Sequence, residues 1–156
     1  MTNVFDVAAY ILREQGAMTA MKLQKLVYYA QAWSLVWDQR PLFQNRIEAW
    51  ANGPVSPELY EWHRGRFSVE PGTCPGNPAR LDKDARDTVD SVLMYYGNKH
   101  PRWLSDLTHM ESPWRDARHG IADGERGSRE ITHAAMAEYY LSLDSDADVT
   151  PKETGR

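Results

Sequence analysis

His109 and Glu111 stand two residues apart in the string Thr108-His109-Met110-Glu111. An H-x-E pair is the one spacing in this chain that could hold a metal ion or pass a proton to a substrate. Nothing else builds on it. His63, His100, His119 and His133 are scattered, and neither an H-E-x-x-H helix nor a P-C-x-x-C partner occurs. G-x-S-x-G, G-x-G-x-x-G and Walker A strings are missing too. Cys74 is the single cysteine, so it has no internal disulfide partner, and its proline- and glycine-rich surroundings hold nothing that lowers a thiol pKa. The pattern points away from an enzyme: no catalytic residue, metal or cofactor is expected, and His109 reads most simply as a ring that satisfies backbone groups where a helix ends. A metal-dependent enzyme remains as the alternative attached to His109.

The arginines offer a second kind of chemistry. Arg64 and Arg66 form one group and Arg115, Arg118, Arg126 and Arg129 another; joined, they could meet phosphates or an acidic partner protein. The chain has 22 acidic against 18 basic residues, a net charge of -4. It therefore lacks the cationic excess of a dedicated nucleic-acid binder, and solvated surface is the simpler reading. Lys22 and Lys25 are three apart on adjoining positions of one helical face, beside Tyr29. The six tryptophans and eight tyrosines give large apolar contacts with a polar handle, which suit a core and a protein interface equally.

Helices must position these groups. Residues 19–37 are apolar nearly all round: Leu23, Leu26, Val27, Ala30, Ser34 and Trp37 recur at helical spacing, while Met21, Tyr28, Tyr29, Trp33, Leu35 and Val36 fill the other faces. Such a helix is buried on every side. Lys22, Gln24, Lys25 and Gln31 within it weigh against a membrane span. The expectation is a mostly α, single compact helical domain around this buried central helix, with a small β-hairpin; 156 residues suffice to bury roughly 70% of the unfolded surface.

A first helix over 3–15 presents Val4, Val7, Ala8, Ile11 and Leu12, with Thr2 or Asn3 as cap and Gly16 as stop. Residues 38–41 read as a turn. Residues 42–51 alternate with a period of two, so a strand or hairpin arm is expected before the Asn52-Gly53-Pro54 turn. Ser56-Pro57 then starts a helix reaching about Arg66. Residues 68–80 are a loop, with 67–70 extended against the Ile47 strand. Asp82 caps a helix ending at Gly97, residues 101–107 form another, Ser112-Pro113 opens a short one holding Trp114, and Ser128 caps the last, through Leu143. Residues 144–156 read as a disordered acidic tail. No leader precedes the first helix, so a cytoplasmic location is expected.

The strings Lys22-Leu23-Gln24-Lys25-Leu26-Val27-Tyr28-Tyr29-Ala30-Gln31, Pro41-Leu42-Phe43, Ile47-Glu48-Ala49-Trp50, Gly53-Pro54-Val55 with Pro57-Glu58-Leu59-Tyr60, and Thr108-His109-x-Glu111-x-Pro113-Trp114 resemble the Panacea-domain family, which includes SocA-like and phage-associated GepA-like antitoxins. The resemblance implies one such domain over 1–143, followed by the tail 144–156. It implies an antitoxin that neutralises a cognate toxin, usually encoded by the adjacent gene, by direct protein-protein binding. Family toxins have many unrelated folds, so the domain does not name its partner. One member acts as a proteolytic adaptor delivering its toxin to the ClpXP protease, which makes a cytosolic protease the alternative partner. No membrane partner, dedicated nucleic-acid binding or separate DNA-binding module is expected. Of the motif residues, Gly53, Pro54, Val55, Thr108, His109, Glu111, Pro113 and Trp114 are expected to be structural. Lys22, Lys25, Tyr29, Arg115 and Arg118 are the expected partner contacts, being charged and aromatic groups beside an apolar core.

Overall fold

The Asn3 side chain accepts from the N–H groups of Phe5 and Asp6 while the Asp6 carboxylate accepts from the Asn3 N–H, a reciprocal cap that starts α1 (Val4–Gln15). The computed structural model describes residues 2–145; of the expected tail 144–156, Asp144 ends the last helix and the part after Ser145 lies outside the described residues. Gly16 ends α1 at φ +87°, and Thr19 caps α2 (Ala20–Trp37) through the Lys22 N–H. Leu23, Leu26, Tyr29, Ala30 and Trp33 have no accessible surface. Around α2 pack α1, α4 (Lys83–Tyr96), α5 (Pro101–Met110) and α7 (His133–Asp144). The protein is mostly α, built around one buried helix. No helix of the described residues is long and apolar enough to cross a membrane.

The hairpin is β2 (Ile47–Trp50) with β3 (Gly53–Val55), antiparallel, with Trp50 opposite Gly53. Ile47 and Ala49 face the core while Glu48 and Trp50 are half-buried, as the alternation predicts. A third strand, β5 (Glu130–Ile131), pairs with the other edge of β2. Two expectations change as a result. The last helix starts at His133, capped by Thr132, because the residues after Ser128 are used in the sheet. With both edges of β2 occupied, residues 67–70 do not pair with it. Instead β4 (Ser68–Val69) pairs with β1 (Met18–Thr19), and the Phe67 carbonyl accepts from the Ala20 N–H. The first N–H groups of a helix lack partners within it, and this short ladder supplies one to α2.

Helix lengths differ at three places. α3 (Pro57–His63), capped by Ser56, stops before the expected Arg66. α5 runs on to Met110, and α6 (Ser112–Ala117) follows with Glu111, not Ser112, at the cap position. Glu111 makes no side-chain cap because its carboxylate is used inside the core.

Candidate functional site

Polar side chains on α2 are directed into the protein and hold chain segments that have no regular partner. Gln24 and Gln31, seven apart, act as stand-in strands. The Gln24 amide accepts from Ser56 N–H at 2.9 Å and donates to Ser56 C=O at 3.2 Å; the Gln31 amide accepts from Leu42 N–H at 2.7 Å and donates to Phe43 C=O at 2.8 Å. Buried backbone groups outside sheets and helices need such partners. Gln24 also donates to His63 Nε2 at 3.0 Å, which makes that nitrogen the acceptor and His63 the neutral tautomer protonated at Nδ1. Burial lowers the His63 pKa in agreement.

Between these clamps lie Lys25 and Tyr29, one turn apart. Lys25 is 1% exposed, and burial lowers its pKa to about 8. Its methylene stem lies under Gly53: a Cβ there would come within 2.6 Å of Lys25 Cε. Gly53 also sits at φ +127°, so the hairpin turn needs glycine for both conformation and space.

Four side chains from α5, α6 and the residue that ends α6 then take four consecutive hairpin carbonyls. Arg118 Nη1 donates to Ala49, Trp114 Nε1 to Trp50, His109 Nε2 to Ala51 and Ser105 Oγ to Asn52, at 3.1, 2.8, 3.3 and 3.2 Å. A carbonyl only accepts, so His109 carries its proton on Nε2. Arg118 Nη2 further donates to the Ala122 and Glu125 carbonyls, holding residues 118–125 together.

Glu111 anchors the far side. Its Oε1 accepts from the hydroxyls of Tyr29 and Tyr140, each at 2.7 Å, and Tyr28 donates to the Tyr140 oxygen at 3.1 Å. Tyr29 also stacks on Tyr96, with ring centroids 4.1 Å apart. Burial raises the Glu111 pKa to about 7, and the two tyrosine donors only partly oppose it. The tyrosines are themselves pushed well above their ordinary value by burial and by the carboxylate.

This places the residues singled out in the sequence. Lys25, Tyr29 and Arg118 are interior, so they offer no surface to a partner in this conformation; Lys22 is half-buried and Arg115 exposed. Gly53, Thr108, His109, Glu111 and Trp114 converge on one polar cluster. Pro54 lies on the edge strand, Val55 is buried, and Pro113 sits in the first turn of α6. No group of three His, Cys, Asp or Glu among the described residues could hold a metal ion. Cys74 is buried, its thiol donating to the Phe5 carbonyl, and burial raises its pKa.

Residues 23–115 match the antitoxin SocA-like, Panacea domain family. The chain belongs to it. The matched span begins on α2 and ends just after Trp114, so it holds every Panacea motif residue of the polar cluster, while Arg118 and Tyr140 complete the cluster from outside it. Over 107 residues the chain is 29% identical to the protein named Antitoxin SocA of Caulobacter vibrioides (strain NA1000 / CB15N), covering 60% of this chain and 56% of that relative. The match thus spans little more than half of the relative's length. No solved structure matches this chain.

Proposed function

We propose that this protein is a cytoplasmic antitoxin that neutralises a cognate toxin, encoded by the adjacent gene, by binding it directly. The observation that carries this reading is membership of the antitoxin SocA-like family across the core of the domain. The geometry supports a binding role. Glu111, Lys25, Tyr29 and Tyr140, all strongly displaced from their ordinary pKa, are enclosed in the core, and none of them lines the cavity between α6 and α7 or those at the start of α2, where a substrate could reach. What remains for function is the exterior. A masking surface of about 800 Å² per partner would cover a toxin's active site or its entrance. A net charge of -4 favours a protein partner over nucleic acid.

Co-expression with the product of the adjacent gene tests this. Masking predicts restored growth and a stable complex that co-purifies with the toxin at an undiminished level. Delivery to a ClpXP-type protease predicts restored growth with a shortened toxin half-life that recovers when the protease is removed. A toxic neighbour that is neither bound nor relieved would falsify the antitoxin reading.

A further inference from the structure

Two cavities meet where α2 begins. One, of about 580 Å³, lies between Met21, Trp50, Val55 and Tyr60 and residues 126–128. The other, of about 560 Å³, runs from Met21 and Tyr60 past Arg66 and Phe67 to Pro101. Met21 and Tyr60 line both, so the two form one groove. Phe67 is 82% exposed, the most exposed large apolar side chain among the described residues, and Met21 is 36% exposed. Neither degree of exposure contributes to folding, and a contiguous apolar strip of this kind marks a contact site.

The charge around the strip is one-sided. Arg66, Arg126, His63 and His100 line the groove and no Asp or Glu does, in a chain whose acids outnumber its bases. The cavity between α6 and α7 is the reverse, lined by Asp116, Glu130 and Glu138 with no basic residue. Arg66 and Arg126 are also uncommitted. The ion pairs among the described residues use Arg13, Arg40, Arg46, Arg64 and Lys83, while Arg66 rests against the Trp62 ring at 5.2 Å. A guanidinium without a carboxylate, beside an apolar floor, is suited to pairing across an interface.

We infer that the toxin docks in this groove, through a segment that sets an apolar side chain against Met21, Tyr60 and Phe67 and carboxylates against Arg66 and Arg126. The inference rests on the antitoxin reading and gives it a surface and a partner chemistry. The apolar contact supplies affinity; the two arginines fix register and reject segments lacking acid. His63 adds no charge, because its ring is neutral in the bond with Gln24.

The test uses the full chain and the adjacent gene's product, measuring affinity, growth rescue and the antitoxin's own melting curve. Phe67→Ser combined with Arg126→Glu is expected to weaken binding on the order of 100-fold and abolish rescue, with the melting curve unchanged, since both side chains are exposed. Met94→Ser on α4, also exposed, is expected to bind as the parent does. Binding by the parent should weaken with added salt, and this dependence should diminish in Arg66→Glu/Arg126→Glu. If the parent binds and both groove variants bind equally well, the groove is overturned and the antitoxin reading stands. If the parent neither binds nor rescues, both fall. If the chain alone is a dimer that Phe67→Ser dissociates, the occupant is a second copy and the toxin assignment is overturned.

Discussion

The β2–β3 hairpin serves two regions of opposite character. Its carbonyls from Ala49 to Asn52 turn to Arg118, Trp114, His109 and Ser105, while the side chains of Trp50 and Val55 line the groove with Met21 and Tyr60. The first region contains Gly53, Thr108, His109, Glu111 and Trp114 of the family's motifs and is closed; the second, which shares Trp50, Val55 and Tyr60 with those motifs, is open, apolar and basic. A polar cluster in which nearly every group has one partner fixes a single shape, because any alternative leaves buried donors unpaired. An open groove makes few demands on the fold. Most of the recognisable part of this sequence therefore shapes the surface, while the groove takes Trp50, Val55 and Tyr60 from the motif strings and Met21, Arg66, Phe67 and Arg126 from outside them.

If the interior is the shaping device, its disruption should be costly even where no contact with a partner is touched. Gly53→Val combines a β-branched residue at φ +127° with a collision against Lys25, and is expected to cost roughly 4 kcal/mol in denaturant unfolding. A loss below about 1 kcal/mol would mean that Lys25 moves aside freely.

Glu111 gives the next largest effect, and it depends on pH. Its pKa rises from 4.5 to about 7 on folding. Below 4.5 both states hold the proton. Between 4.5 and 7 the unfolded chain ionises first, so stability falls by about 3 kcal/mol across that window and stays lower above it. Glu111→Gln keeps an acceptor for Tyr29 and Tyr140 without the charge. The variant should match the parent near pH 4 and exceed it by up to about 3 kcal/mol at pH 8; parallel pH profiles would show that the carboxyl is not held protonated.

Gln24→Ala should cost about 2 kcal/mol, since Ser56 is 2% exposed and its N–H loses its partner, while its carbonyl keeps only the Tyr60 N–H. Amide exchange at Ser56 reads the same event locally, and an unchanged rate would remove Gln24 from its clamping role.

How much of this was legible follows from the same division. The central helix was plain because its residues are apolar on all faces, and Asn3, Thr19, Ser56 and Asp82 announced their caps by type and spacing. The hairpin followed from the alternation at Ile47 to Trp50 and from Gly53. The two-residue pairings were not legible: neither β1–β4 nor β5 is long enough to show a period, and both form only because α2 and β2 offer unpaired groups. Lys25, Tyr29 and Arg118 looked like contact residues because charged and polar-tipped aromatic groups usually signal surface, yet the hairpin lies over Lys25, Glu111, Tyr96 and Tyr140 enclose Tyr29, and Arg118 spends its donors on the Ala49, Ala122 and Glu125 carbonyls. The groove escaped because Met21, Trp50, Tyr60, Phe67 and Arg126 become neighbours only in the fold. The one trace was the pair of arginine groups, whose members Arg66 and Arg126 line the two halves of it.

The smallest expected effect on stability bears most directly on the division. Phe67→Ser alters a side chain that is 82% exposed and should move unfolding free energy by less than about 0.5 kcal/mol. Gly53→Val, on the other side of the comparison, should lose toxin binding only in proportion to the folded fraction. Comparing the two at a temperature where both are folded separates shape from contact: Gly53→Val recovers binding there, and Phe67→Ser remains weak although its melting curve is that of the parent. A Phe67→Ser chain that melts several degrees lower would place Phe67 among the shaping residues, where the β1–β4 ladder needs it, and would take the apolar anchor out of the groove.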